Sequence, residues 1–123
     1  MLSRTAEFGL AQILVHRENI MASIHLIERL NNVRKLVDAP PFWESGYWSI
    51  PVETAERLIG GDLYLHSGQL EPSHFGGKIA GYRVHKDGTD IDGRIVFRIT
   101  PSLVYKGVKT GRGGWGNEKK FVW

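Results

Sequence analysis

Five polar side chains that could bind a ligand or transfer a proton lie close together in the middle of the chain: His66, Ser67, Gln69, Ser73 and His74. A short apolar run begins after Gly60-Gly61, before this segment, and a second one begins at Gly76-Gly77, after it. Short apolar runs bounded by glycines are typical of strands, so the sequence predicts two strands joined by a polar loop. Binding residues concentrate in loops that a rigid sheet supports, and we therefore expect the function here.

Histidine and serine in one loop would also suit a small hydrolase or amidase. The ordinary pKa of histidine, about 6.5, favours proton transfer near neutral pH, so His66 or His74 could act as a general base. Groups that could assist are Ser67, Lys78 and Glu71. A serine nucleophile of the α/β-hydrolase type would need a GxSxG turn, and none surrounds Ser67. Hydrolysis in the His66-Ser67 loop is therefore the alternative function.

Nothing in the sequence predicts a metal site. Cysteine is absent, which excludes thiolate ligands, cysteine nucleophiles and disulfides. The histidines His66, His74 and His85 follow neither the HExxH nor the HxH spacing, and no carboxylate accompanies them at ligand spacing. We therefore expect no metal and no other cofactor.

Positive charge and a glycine-rich loop favour a nucleic acid as the partner. The chain has 16 Lys and Arg against 13 Asp and Glu, a formal net charge of +3, and the excess lies in its C-terminal third. In residues 111–116 the glycines would let the backbone approach a phosphate, and Trp115 could stack on a base. The predicted phosphate-binding residues are Arg112, Lys119 and Lys120. The alternative is a mobile hairpin loop with the Trp115 ring tucked into the core.

The length of 123 residues fits one domain-sized core. No apolar segment approaches the roughly 20 residues that a membrane span needs, and the N-terminus has no signal-peptide pattern. We expect a cytoplasmic protein that does not associate with a membrane.

The N-terminal third has the pattern of a helix. Apolar residues recur at three- and four-residue steps between residues 10 and 37, which predicts an amphipathic helix or helix pair, so residues 1–39 would form a helical arm. Pro40 and Pro41 cannot continue a helix, and a second domain is predicted over residues 40–123. The apolar stripe must pack on the domain itself or on a second copy of the chain, as a homodimer contact.

The second domain begins with an aromatic cluster and a short helix. The cluster, residues 42–48, is typical of a core, although its tryptophans could also wall a pocket for a flat ligand. A helix is predicted over residues 51–59, with Ser49 as its N-cap and Gly60-Gly61 at its end. Further strands are predicted over residues 94–100, 102–108 and 120–123.

Three motifs of this domain resemble those of EVE domains. Tyr47-Trp48 resembles their opening strand, residues 61–67 their Gly-Asp strand that ends in His-Ser, and residues 77–84 their following Gly-Ile-Val-Gly strand. EVE domains belong to the PUA-like superfamily with ASCH and YTH domains, and the match covers residues 46–100. The resemblance implies an α+β fold: a small, mostly antiparallel PUA-like β-barrel with short flanking helices.

The resemblance also implies a pocket that accepts a modified base or binds RNA. In this hypothesis Tyr47 and Trp48 stack on the base, and the polar residues of the loop form hydrogen bonds with it. The predicted ligand-binding residues are Tyr47, Trp48, Ser49, His66, Ser67, Gln69 and Trp115. Our first functional hypothesis is therefore a nucleic-acid recognition domain for RNA or a modified base. A protein-interaction subunit of a bacterial defence-type assembly is a further alternative.

Overall fold

The computed structural model describes residues 22–123, which form one mixed sheet of eight strands. The strands are β1 (Ser23–Ile27), β2 (Val33–Lys35), β3 (Trp43–Trp48), β4 (Asp62–His66), β5 (Ser73–Val84), β6 (Ile95–Pro101), β7 (Trp115–Gly116) and β8 (Lys119–Val122). Helix α1 (Val52–Leu58) connects β3 to β4, and a 3-10 helix (Leu103–Tyr105) follows β6. The order across the sheet is β2-β3-β6-β5-β4-β1-β8-β7. Only β1 and β4 pair in parallel; the other neighbours are antiparallel.

The predicted closed barrel is wrong, because the described sheet is open. Its edges are β2 and β7, which contain only three and two residues and do not pair with each other. A barrel requires hydrogen bonds between the first and the last strand of the sheet. The predicted set of flanking helices is wrong as well, since α1 is the only α-helix within residues 22–123.

The predicted helical arm is wrong where the structure describes it. β1 lies in the interior of the sheet between β4 and β8, and β2 pairs with β3, so both belong to the same sheet as the later strands. Four of the five β1 residues are buried, because both faces of the sheet are covered there. A strand buried on both faces lacks the alternation that distinguishes it from a helix. Residues 1–21 of the arm lie outside the described residues, and the homodimer contact stays a prediction.

Other elements agree with the sequence patterns. The strands on either side of the polar loop are β4 and β5, and residues 94–100 and 120–123 correspond to β6 and β8. Helix α1 is confirmed, and it ends before Gly60, whose φ of 89° is typical of a helix C-terminus. Three details differ. Pro51 rather than Ser49 is the N-cap, and residues 102–108 contain the 3-10 helix instead of a strand. Ser73 and His74, predicted in the polar loop, are the first residues of β5.

The hydrophobic core lies between α1 and one face of the sheet. Ala55 and Leu58 of the helix belong to the same buried cluster as Ile24 and Leu26 of β1. Because successive strand residues face opposite sides, His25 lies on the other face of the sheet, with its register partner Tyr64. Within the described residues, no helix has the length and apolar character needed to cross a membrane.

Glycine allows β5 to pack closely against its neighbours. A Cβ atom on Gly77 would lie 2.5 Å from the Thr100 carbonyl oxygen and 2.9 Å from Cα of Pro101, both backbone atoms of β6. A Cβ atom on Gly76 would collide with the Leu63 carbonyl oxygen of β4. The glycines that bound the polar loop in the sequence are therefore required by the sheet itself.

We expect Gly77→Ala to destabilise the protein by about 1–3 kcal/mol, because the added methyl group forces backbone atoms of β5 and β6 apart. Gly81→Ala on the same strand is the matched control, since a Cβ atom there meets nothing within 4 Å. Its effect should stay within about 0.5 kcal/mol. Urea denaturation followed by circular dichroism measures both, and equal stabilities of the two variants would contradict the close packing at Gly77.

Candidate functional site

Two histidines on neighbouring strands form a buried pair next to the polar loop. Nδ1 of His25 lies 2.9 Å from Nε2 of His66, and Nδ1 of His66 lies 2.8 Å from the Glu71 carbonyl oxygen. Because a carbonyl oxygen only accepts, Nδ1 of His66 carries the hydrogen, and its Nε2 accepts a hydrogen bond from His25. The parallel register, which places Ile27 opposite His66, brings the two rings together.

Aromatic rings enclose the histidine pair. His25 stacks on Tyr64 with ring centroids 4.7 Å apart, and Trp115 meets His66 edge to face at 5.7 Å. Burial, aided by the neighbouring His66 and Lys120, lowers the pKa of His25 to about 4. Burial is also the main cause of the lowered pKa of His66. Both rings are therefore neutral at pH 7.

The arrangement leaves His66 unsuited to act as a general base. Its side chain is 0% exposed, and both of its ring nitrogens are engaged in hydrogen bonds. The neighbouring loop residues join this loop to other parts of the fold: the Ser67 carbonyl accepts from Nε of Arg29 at 2.9 Å, and the Gln69 amide donates to the Asn117 carbonyl at 3.0 Å. Of the predicted ligand-binding residues, the structure brings His66 and Trp115 together.

Tyr47, Trp48 and Ser49 lie apart from the histidine pair. Trp48 is 4% exposed and donates its indole N–H to Oγ of Ser45 at 3.0 Å, so it belongs to the core. With Tyr47 it also lines a cavity described below. Tyr47 packs against His85 with ring centroids 4.6 Å apart. Ser49 is exposed near the loop between β5 and β6.

The three predicted phosphate-binding residues have different environments. Lys120 is 9% exposed, and its ammonium group donates to the Gly111 carbonyl at 2.7 Å, which fastens the glycine-rich loop to β8. Lys119 is half-buried, and Arg112 is exposed. None of the three lines the two cavities described next.

A cavity with aromatic walls, called here the aromatic cavity, lies beside the loop between β1 and β2 and has a volume of about 400 Å³. Its lining residues are Glu28, Arg29, Asn31, Val33, Trp43, His74 and Phe75. Trp43 on β3 and Phe75 on β5 have ring centroids 5.1 Å apart and planes inclined by 50°. Both rings are partly exposed. The two rings pack against each other and together form an apolar wall of the cavity.

Glu28 supplies a buried carboxylate to the aromatic cavity. It directly follows β1 and is 8% exposed, and its Oε2 accepts a hydrogen bond from the Leu30 N–H at 3.0 Å. Its Oε1 is buried and has no hydrogen-bond partner within residues 22–123. Leaving a buried acceptor unpaired costs about 1–3 kcal/mol. A ligand that donates a hydrogen bond to this oxygen would recover that free energy.

A second cavity of about 270 Å³ adjoins the first. It shares Glu28 and Arg29 with the aromatic cavity and is also lined by Tyr47, Arg94 and Glu118. Arg29 is exposed and Arg94 is half-buried. These two arginines place positive charge beside the cavities.

Two further arginines share one carboxylate. Arg83 and Arg34 bind the side chain of Glu44 at 2.9 and 3.0 Å, and their hydrogen bonds, that of Arg83 foremost, lower the pKa of Glu44. Glu44 balances one of the two positive charges, and the Arg34 side chain remains 68% exposed. In the described part of the chain, no three His, Asp or Glu side chains are grouped as metal ligands.

Most residues of the aromatic cavity are not among those that the sequence predicts to bind a ligand. Glu28 and Arg29 lie in the segment predicted as a helix, where charged residues indicate a solvated face. Phe75 is a single ring next to the glycines of β5. The one sequence feature that indicates this cavity is the aromatic cluster of residues 42–48, which includes Trp43. A pocket for a flat ligand is one of the two interpretations of that cluster.

The histidine pair should make stability depend on pH. Because the pKa of His25 is lower in the folded protein than in the unfolded chain, its contribution is present above about pH 6.5 and is lost as the pH falls toward about 4. His25→Gln keeps a donor for His66 but does not titrate. Urea midpoints measured from pH 7.5 to 4 should fall more steeply for the wild type than for this variant. If the urea midpoints of the two proteins fell equally with pH, His25 would not be the source of the pH dependence.

Neither a protein-family model, a curated protein nor a solved structure matches this chain. The likeness to EVE and ASCH domains therefore depends on the three motifs alone and stays a prediction. The case for a function has to come from the cavities and the groups that line them.

Proposed function

We propose that this protein is a cytoplasmic nucleic-acid recognition domain that binds a single-stranded segment by inserting one base into the aromatic cavity. The observation that carries the proposal is the combination, in one cavity, of two partly exposed aromatic rings and a carboxylate with a buried oxygen that has no partner in the described part of the chain. Neither feature alone would be specific. Together they match a flat ligand that has N–H donors along its edge, as nucleobases do.

The size and walls of the cavity suit a base. Small-molecule sites typically have volumes of about 300–1,000 Å³ and combine apolar walls with a few polar groups. The aromatic cavity, at about 400 Å³, lies near the lower end of that range. Trp43 and Phe75 form the apolar walls, and Glu28 and Asn31 supply the polar groups. Single strands are favoured over duplexes, because a base must leave the stack to enter such a cavity.

Positive charge next to the cavity is modest. Arg29 borders both cavities and Arg94 borders the second, whereas Glu118 also lines the second cavity. With about two phosphate contacts to a single strand, the logarithm of the binding constant should fall with the logarithm of the salt concentration with a slope of about −1.4. Stacking and hydrogen bonding to the base therefore supply most of the proposed affinity.

Catalysis is less well supported than binding. His66 is buried and fully hydrogen-bonded, and the described cavities contain no exposed pair of a nucleophile and a general base. His74 is exposed and lines the aromatic cavity, where its ring could contact a ligand.

Trp43→Ala tests the proposed site. Stacking on an aromatic ring contributes about 1–3 kcal/mol per base, so this variant should bind an unstructured pentanucleotide about 5- to 150-fold more weakly than the wild type. The measurement is fluorescence anisotropy with labelled RNA and DNA pentanucleotides at low salt.

The matched control is Trp123→Ala. Trp123 is also partly exposed, but it packs against Phe121 and Arg57 away from the cavity, and its loss should leave affinity unchanged. Equal losses in the two variants, or no binding by the wild type, would refute the proposal.

A further inference from the structure

We propose that the aromatic cavity selects guanine over the other standard bases and that Glu28 is the residue that reads the base. The inference depends on the proposed function, because it concerns the identity of the base that enters the same cavity. It follows from the hydrogen bonds that the Glu28 side chain makes and lacks within the described residues.

Glu28 is fixed in place before any ligand binds. Its Oε2 accepts a hydrogen bond from the Leu30 N–H at 3.0 Å, which ties the carboxylate to the backbone of its own loop. Its Oε1 has no partner within the described residues, and the side chain as a whole is 8% exposed. A carboxylate oxygen accepts hydrogen bonds, so a ligand that pairs with Oε1 must present a donor.

The four bases differ in what their pairing edges present. Guanine places N1–H and the N2 amino group side by side, two adjacent donors that match the two oxygens of a carboxylate. Adenine and cytosine each have one amino group next to a ring nitrogen that accepts, and uracil has one N–H between two carbonyl oxygens. In those three bases an acceptor would face the carboxylate and repel it.

Other groups at the cavity complete the match. The guanine carbonyl oxygen O6 needs a donor, and both Arg29 and Asn31 line the same cavity. Nε of Arg29 donates to the Ser67 carbonyl, and within residues 22–123 the terminal nitrogens of the guanidinium group have no hydrogen-bond partner. Trp43 supplies the surface against which the ring would stack.

The test compares pentanucleotides UUXUU in which X is guanine, adenine, cytosine, inosine or 1-methylguanine. Wild-type protein should bind the guanine form at least about tenfold more tightly than the adenine and cytosine forms, since an unpaired buried acceptor disfavours the wrong base. Inosine, which lacks the N2 amino group, should lose part of this preference. 1-Methylguanine, which lacks N1–H, should lose all of it.

Glu28→Gln should bring the guanine and adenine affinities to within about threefold of each other, because the amide offers one acceptor and one donor instead of two acceptors. The matched control is Glu118→Gln, which removes the same charge from the second cavity only and should preserve the guanine preference. The inosine and 1-methylguanine pentanucleotides are measured with the wild-type protein, so their result does not depend on the folding of either variant.

The outcomes separate the two proposals. Tight binding of all pentanucleotides with no preference for guanine, or a preference for guanine that survives in Glu28→Gln, would overturn the assignment of Glu28 and leave the proposed function standing. Absence of binding to any pentanucleotide would overturn both.

Discussion

The parallel pairing of β1 with β4 determines where the candidate functional residues lie. It places β1 in the interior of the sheet, with β8 on its other side, and it aligns Ile27 with His66. In this register β1 ends at Ile27, and the loop to β2 begins with Glu28, which lines both cavities. Without this pairing, neither the histidine pair nor the border of the aromatic cavity would exist.

The histidine pair and the Glu28 carboxylate are both buried, but they differ in their hydrogen bonds. His66 is satisfied, since one ring nitrogen binds His25 and the other donates to the Glu71 backbone carbonyl. It therefore has no ring nitrogen left to offer a ligand. Glu28 has a buried oxygen with no hydrogen-bond partner among residues 22–123, and leaving such an acceptor unpaired costs stability. That contrast is why we assign a structural role to the histidines and a binding role to the glutamate.

The parts of the fold that the sequence predicts are those encoded by neighbouring residues. The turn glycines and apolar runs around residues 60–84 specify β4 and β5, and Pro51 and Gly60 bound α1. β1 could not be recognised in this way, because its partners are remote along the chain and its residues are buried on both faces. Ile24 and Ile27 then fit a helical period as well as they fit a strand.

The aromatic cavity could not be predicted from the sequence for the same reason. Its walls come from β3 and β5, and its carboxylate comes from the end of β1, so no local pattern contains it. Trp43 and Trp48 occupy the same aromatic cluster, yet one ring is partly exposed at the cavity and the other is buried in the core. Only the register of β3 in the sheet distinguishes the two. The motif that resembles EVE domains contains Trp48 but not Trp43, so the resemblance does not point to the aromatic cavity.

A crystal structure of the protein bound to the guanine-containing pentanucleotide would show which side chains contact the base. We expect the central base to lie against the Trp43 ring, with its N1–H and N2 amino groups facing the Glu28 carboxylate. A base bound instead at Trp115 and the glycine-rich loop, with the aromatic cavity empty, would contradict it.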